Sequence, residues 1–279
     1  MEDVLDTARA TAEDHDATAN DVLAAAIALD EALQQKTGRS AEALPILVTL
    51  YTRAGEAGLV DGWIRLARLH GPHGISPTPA VALAASERAA ESGEPTAVAE
   101  FVRAVRAAPV ELAEPLYAEA AEHLNAALVQ HPDPDLMVLS AFMLADGQGY
   151  AADPAQARQV LEAAAAAGSA DAHFELYVYD MTGATGPEDR ESAISHLRAA
   201  AHGGNHRAMA NLGAMYATGD GVEADEDSAV AWYRRAADAG NARAAFNLAI
   251  MFSTGDGAPK DRRLAQHYRR IAADRGLAN

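Results

Sequence analysis

The side chains able to do covalent or acid–base chemistry are few, and their spacing argues against a catalytic site. Lys36 and Lys260 are the two lysines, and neither has a serine three residues before it, so no Ser-x-x-Lys nucleophile can form. Cysteine is absent, which removes thiol catalysis, thiolate zinc sites and disulfides. Ten histidines are the metal and proton-transfer candidates. His202 and His206 are four apart, but Gly203-Gly204-Asn205 would break a helix between them, so they do not share a face. His70 and His73 flank Gly71-Pro72 in a loop and read as surface or loop imidazoles. Asp220, Glu223, Asp225, Glu226 and Asp227 form an acidic stretch without the alternating ligands and central glycine of a calcium loop, which leaves capping and solvation as its role. Gly147-Gln148-Gly149, Gly219-Asp220-Gly221 and Gly255-Asp256-Gly257 follow helical patterns rather than strands, so they are turns and not dinucleotide cradles. No catalytic residue, metal site or cofactor is expected, and an enzyme is the least favoured function.

Composition and charge narrow the remaining classes. About a quarter of the 279 residues are alanine and only 5% are aromatic, which favours helices and excludes an all-β domain. The net charge of −18 repels phosphate backbones, so nucleic acid is not an expected partner. No apolar run is long enough to span a membrane, and Met1-Glu2-Asp3 opens without a basic, apolar leader, which makes the cytoplasm the expected location. Charge is also unevenly placed, at −19 over residues 1–204 and +1 over 205–279.

The positioning elements show themselves as columns. Gly168, Gly204, Gly240 and Gly276 are spaced by 36, as are Gly147, Gly183, Gly219 and Gly255. So are Asp153, Asp189, Asp225 and Asp261, and also Leu176, Leu212 and Leu248, and Ala172, Ala208 and Ala244. The first glycine series ends alanine-rich helices, and Ser169, Asn205 and Asn241 follow at once as N-caps. The aspartate series caps a second helix, with Pro154 at its first position in one unit. Each unit is therefore helix A, glycine loop, helix B. In the last unit Ala244, Leu248 and Phe252 form one apolar stripe, and Leu264, Tyr268 and Ile271 another; neither stripe can be buried without a stacked neighbour. The expected fold is an all-α, right-handed α-α solenoid of antiparallel hairpins with a 36-residue period.

The boundaries follow. Residues 1–19 are an acidic N-terminus expected to fray. Residues 20–131 hold about three divergent hairpins, and 132–279 about four regular ones continuous with them. The third hairpin is the most worn, interrupted by Pro109 and Pro115, and a hinge would fit there. His131-Pro132-Asp133-Pro134 replaces the glycine corner before the fourth.

These columns resemble the Sel-1-like repeat family, relatives of the tetratricopeptide repeats. Asn241-Ala242-Arg243-Ala244-Ala245-Phe246-Asn247-Leu248 resembles its helix A, Gly255-Asp256-Gly257-Ala258-Pro259-Lys260-Asp261 its loop and cap, and Ala231-Trp232-Tyr233-Arg234-Arg235-Ala236-Ala237-Asp238-Ala239-Gly240 its helix B and corner. The resemblance is strong over about 140–279 and weaker over 20–131. It implies a scaffold that binds proteins or peptides on a concave side lined by helix A.

With 244, 248 and 252 facing the core, positions 243, 247 and 250 face away, about 100° per residue around the helix. The equivalent residues along the chain are the candidate groove: Arg65, Glu100, Leu139, Glu175, Asn211 and Asn247; Arg68, Arg103, Phe142, Val178 and Ile250; and Arg207 and Arg243. Arg262, Arg263, Arg269 and Arg270 on the last helix form a candidate docking end for an acidic partner, including another copy held head to tail. The expected function is a non-catalytic scaffold or adaptor for protein or peptide partners, with a bias toward basic segments. The alternative is a sensor in which a peptide or small ligand in the groove changes the superhelix.

Overall fold

The computed structural model describes residues 2–35 and 40–277; Lys36 lies outside them. Among the described residues every regular element is helical, as expected, and no helix is long and apolar enough to cross a membrane. The chain forms two compact units, Met1–Ala152 and Asp153–Asn279.

The second unit is the more regular. Its helices are α10 (Pro154–Ala166), α11 (Ala170–Thr182), α12 (Arg190–His202), α13 (His206–Thr218), α14 (Glu226–Asp238), α15 (Ala242–Thr254) and α16 (Arg262–Asp274), numbered after nine in the first unit. Consecutive helices pack as hairpins. Every helix begins on a side-chain cap: Asp153 accepts from the Gln156 amide at 2.9 Å, Ser169 from Ala172 at 3.1 Å, Asp189 from Ser192 at 3.0 Å and Asn205 from Ala208 at 2.8 Å. Asp225, Asn241 and Asp261 do the same. Each such cap contributes about 1 kcal/mol. Three corners close with the same bond, from the Ser169, Asn205 and Asn241 amides to the carbonyls of Ala164, Ala200 and Ala236. The capping asparagines also reach backward. The Asn205 side-chain amide donates to Asp171 at 2.6 Å and that of Asn241 to the His206 carbonyl at 3.1 Å, tying successive A helices together.

The core of this unit is thin-walled. Ala172, Leu176, Ala208, Leu212, Ala244, Leu248 and Phe252 are buried from the A helices, and Leu197, Ala200, Tyr233, Ala236 and Tyr268 from the B helices. Fully buried alanines at the crossings let the backbones approach closely, so aromatic bulk is needed only at a few places.

The first unit comprises α1 (Glu2–Glu13), α2 (Ala19–Gln35), α3 (Ser40–Glu56), α4 (Val60–His70), α5 (Pro79–Ala90), α6 (Pro95–Ala107), α7 (Val110–Ala113), α8 (Tyr117–Gln130) and α9 (Pro134–Asp146). A 3₁₀ turn, Glu114–Leu116, joins α7 to α8. Pro109 precedes α7 and Pro115 sits in that turn, so the worn hairpin splits its second helix where the prolines remove amide donors. Asp133 caps α9 with Pro134 at its first position, as the His-Pro-Asp-Pro corner implies.

Within the stretch expected to fray, residues 2–13 form a helix. It is helix α1, which buries Leu5 and Ala8 against α2 and α3. Arg53 of α3 donates to the carbonyls of Thr11 and Ala12 at 2.9 Å, and to that of Asp14 at the same distance, satisfying the open C-terminal end of the helix. Two apolar residues three apart and a distant arginine outweigh the acidic surface.

Candidate recognition surface

The outward faces of α11, α13 and α15 carry the positions expected to be free. Arg207 and Arg243 are exposed, Glu175, Val178, Asn211 and Asn247 are half-buried, and Ile250 is 42% exposed. Their partners are local. Arg207 lies 3.5 Å from Glu175 on the preceding A helix and covers the Phe174 ring at 4.3 Å. Burial pushes the Glu175 carboxyl above the usual range and Arg207 draws it back. Asn247, Ile250, Met251 and Tyr233 share a depression of about 310 Å³. Burial raises the Tyr233 hydroxyl there, opposed by Asn247 and Arg243.

In the first unit, Arg68 of α4 forms a two-bond pair with Glu100 of α6, at 3.2 and 3.3 Å. Both residues, with exposed Arg103, line a cleft of about 650 Å³ between α4, α6 and the 71–79 loop. Arg65 is half-buried and turned along its own helix to Asp61 at 2.7 Å. Phe142 is half-buried beneath the Arg106 guanidinium at 5.0 Å. Leu139 requires a correction: it is only 7% exposed and belongs to the core with Leu136 and Met143. Helix α9 is apolar almost all round, so the face that is polar elsewhere is buried here. The thirteen candidate groove residues are therefore not equivalent. Arg68, Glu100 and Arg103 converge in one depression and Asn247 and Ile250 in another, whereas Leu139 lies outside any surface.

The sequence reading missed one buried polar residue, Asp180, and misplaced another, His70. Asp180 and His70 both occupy the helix-A position held in the last unit by Phe252, and both are buried, at 4% and 8% exposure. Asp180 is fully engaged: Arg158 of α10 donates to it at 2.7 Å and Ser192 of α12 at 2.6 Å. His196 stands 3.9 Å from the same carboxylate and shares a 3.0 Å ring contact with His173. Burial, then His196, lowers the His173 pKa. His70 is not the surface or loop imidazole expected: it closes α4, with Nδ1 2.9 Å from the Ser76 carbonyl, and its buried Nε2 has no partner among the described residues. The signal for both was a polar side chain in an otherwise apolar column.

On α16, Arg262, Arg263, Arg269 and Arg270 are exposed. Arg262 and Arg269 border a depression of about 510 Å³ with Lys260 and Phe252. The acidic loop is occupied as capping implies: Asp225 holds the start of α14 and Asp220 pairs with Arg190.

The hairpins on both sides of this surface match the Sel1 repeat model at residues 136–169, 180–205, 206–241 and 242–277. Residues 136–277 carry four Sel1 repeats. Solved Sel1 structures share the fold. A Sel1 repeat protein from Oxalobacter formigenes is 24% identical, with a TM-score of 0.58, covering 88% of this chain and 99% of its own. Two immunity proteins from Pseudomonas aeruginosa are 19% and 22% identical, with TM-scores of 0.58 and 0.56. They cover 78% and 77% of this chain and 82% and 81% of theirs. At these identities the likeness is one of fold. No curated protein matches the chain in sequence. The matched Sel1 repeats contain Arg207, Asn211, Arg243, Asn247 and Ile250, whereas Arg68, Glu100 and Arg103 lie upstream of the first one.

Proposed function

We propose that this chain, with its four Sel1 repeats, is a non-catalytic scaffold that holds a protein or peptide partner on its helix-A faces. One observation carries the reading: side chains that the core does not use converge in concave depressions, Arg68, Glu100 and Arg103 in the first unit and Asn247 and Ile250 in the second. Sel1 repeats commonly serve protein interaction, and stacked hairpins offer such faces without a sheet edge for strand addition. The overall charge of −18 favours partners with basic segments and an affinity that falls as salt rises. The test is affinity capture from source-cell lysate by the wild type and by a variant carrying Asn211→Ala, Arg243→Glu, Asn247→Ala and Ile250→Asp. Circular dichroism checks that both fold. A protein retained by the wild type and lost by the variant supports the reading; an identical set from both refutes use of this face.

A second reading rests on the exposed arginines of α16, which have no carboxylate partner among the described residues. They would dock an acidic surface, and the first 204 residues of another copy, at −19, supply one. Sedimentation at low salt should then show concentration-dependent association that Arg262→Glu/Arg269→Glu abolishes. A monomer at high concentration rules it out.

A further inference from the structure

Two depressions of the second unit are the same place, one repeat apart. In the first, Ala217, Glu226 and Tyr233 of the α13–α14 hairpin belong to one wall, and Asn247, Ile250 and Met251 of α15 to the other. Thirty-six residues on, Ser253, Arg262 and Arg269 of the α15–α16 hairpin line the depression of about 510 Å³. Among the described residues no further helix stands opposite them. Elsewhere in the unit each B helix lies against the next A helix, α10 on α11, α12 on α13 and α14 on α15. Leu161, Leu197 and Tyr233 share one buried column of the B helices, and Ile194 and Val230 share a half-buried one. Helix α16 breaks both columns: Arg269 follows Tyr233, Gln266 follows Val230, and both are exposed. The face keeps the form that seats a helix and loses the apolar residues that hold another repeat.

The charge of this face is unmet. Lys260, Arg262 and Arg269 line one concavity with no carboxylate partner among the described residues. Asp261, between the first two, is occupied by the amides of Arg263 and Leu264 at 2.8 and 3.0 Å. One repeat earlier the positions of Arg262 and Arg269 hold a carboxylate and a phenol, Glu226 and Tyr233. Like charges gathered in a concavity repel one another and favour an acidic occupant.

We infer that this face seats an acidic α-helix of a partner protein, laid as α15 lies on α14, with carboxylates at i, i+4 and i+7. That spacing is the one by which Arg243, Asn247 and Ile250 of α15 address the wall of α14. Because α14 and α15 run antiparallel, carboxylates at i and i+4 would meet Arg269, and the one at i+7 would meet Arg262 and Lys260. The inference rests on the arginine-end reading above and narrows it from any acidic surface to one patterned helix. The two can fail separately: a chain that stays monomeric can still bind such a helix, and a chain that associates through scattered charges need not.

The experiment is fluorescence anisotropy of labelled, alanine-rich peptides of about 18 residues, long enough to be helical alone, titrated with the full chain at low salt. One peptide carries glutamates at i, i+4 and i+7. A second has the same composition with its glutamates scattered around the helix, and a third has glutamine in their place. The patterned peptide should saturate with a dissociation constant on the order of 100 μM, the scattered one should bind at least about fivefold more weakly, and the glutamine one should not saturate. Arg262→Ala/Arg269→Ala should weaken the patterned peptide about tenfold, whereas Arg263→Ala/Arg270→Ala, the same charge change on the neighbouring face, should stay within about twofold. Circular dichroism checks that both variants fold. Equal binding of the patterned and scattered peptides, equal loss in the two double variants, or no saturation by about 1 mM overturns the inference. Displacement by inorganic phosphate beyond that by chloride at equal ionic strength also overturns it and marks a small-anion site instead.

Discussion

Replacing Arg158 by methionine tests whether the buried carboxylate of Asp180 depends on a distant cation. The Asp180 side chain is 3% exposed and Arg158 reaches it at 2.7 Å from α10. Removing one partner of a fully buried pair costs about 3–5 kcal/mol, because the other charge stays behind. Two features reduce that figure here. Arg158 is itself 27% exposed, and Ser192 keeps its 2.6 Å bond to the carboxylate. The expected loss is therefore about 2 kcal/mol, with a fall in melting temperature of about 4–8 °C for a unit of this size. Adding Asp180→Asn should recover most of it, since the stranded charge is then gone, giving a coupling of about 2 kcal/mol in the double-mutant cycle. Urea unfolding followed by Trp232 fluorescence, in a Trp63→Phe background, reports on the second unit alone. A cost below about 0.5 kcal/mol for Arg158→Met, or no recovery in the double variant, would refute the claim that Asp180 is desolvated and held by Arg158.

Three other outcomes follow from the same structure. Burial raises the Glu175 carboxyl, so the ionised form is disfavoured in the fold at neutral pH; Glu175→Gln should be neutral or stabilising at pH 7, with the advantage vanishing as acid protonates the wild type, measured by thermal melts across pH. Burial lowers His173 below its ordinary 6.5, so its contribution is full above that value and is lost as pH falls through the folded value; His173→Phe should flatten this part of the stability–pH curve. Gly149→Ala should cost more than about 1 kcal/mol, since φ is +74° and a Cβ would stand 2.2 Å from the Tyr117 carbonyl oxygen, whereas the open Gly186→Ala should be tolerated; chemical denaturation separates the two.

The hairpins could be read from the chain because their signals are local. A cap such as Asp189 or Asn205 needs only the amide three residues on, and the stripe of Ala244, Leu248 and Phe252 needs only helical geometry. What could not be read depends on residues far apart in sequence. Helix α1 is secured by Arg53, about forty residues later, so acidic composition was a poor guide to its order. Leu139 sits where other A helices are half-exposed, and only the packing of α6 and α8 around it makes it core. His70 and Asp180 were visible as polar residues in an apolar column, but their meaning lies in the tertiary setting: one finds Arg158 and Ser192, and the other finds the Ser76 carbonyl. The candidate groove is legible as a set of faces, and its division into separate depressions is not.

The two capping asparagines have a consequence for how the molecule ages. Each uses both ends of its amide, the oxygen to start its own helix and the nitrogen to grip the preceding A helix. Spontaneous deamidation at Asn205 or Asn241 would leave an aspartate, which still caps but can no longer donate. At Asn205 the new carboxylate would face Asp171, turning a 2.6 Å attraction into repulsion between like charges. The helices themselves would survive, and what slips would be the offset between one hairpin and the next. A stored sample could then keep its helical content while the spacing of Arg207 and Arg243 on neighbouring faces drifts, a form of wear that circular dichroism would miss.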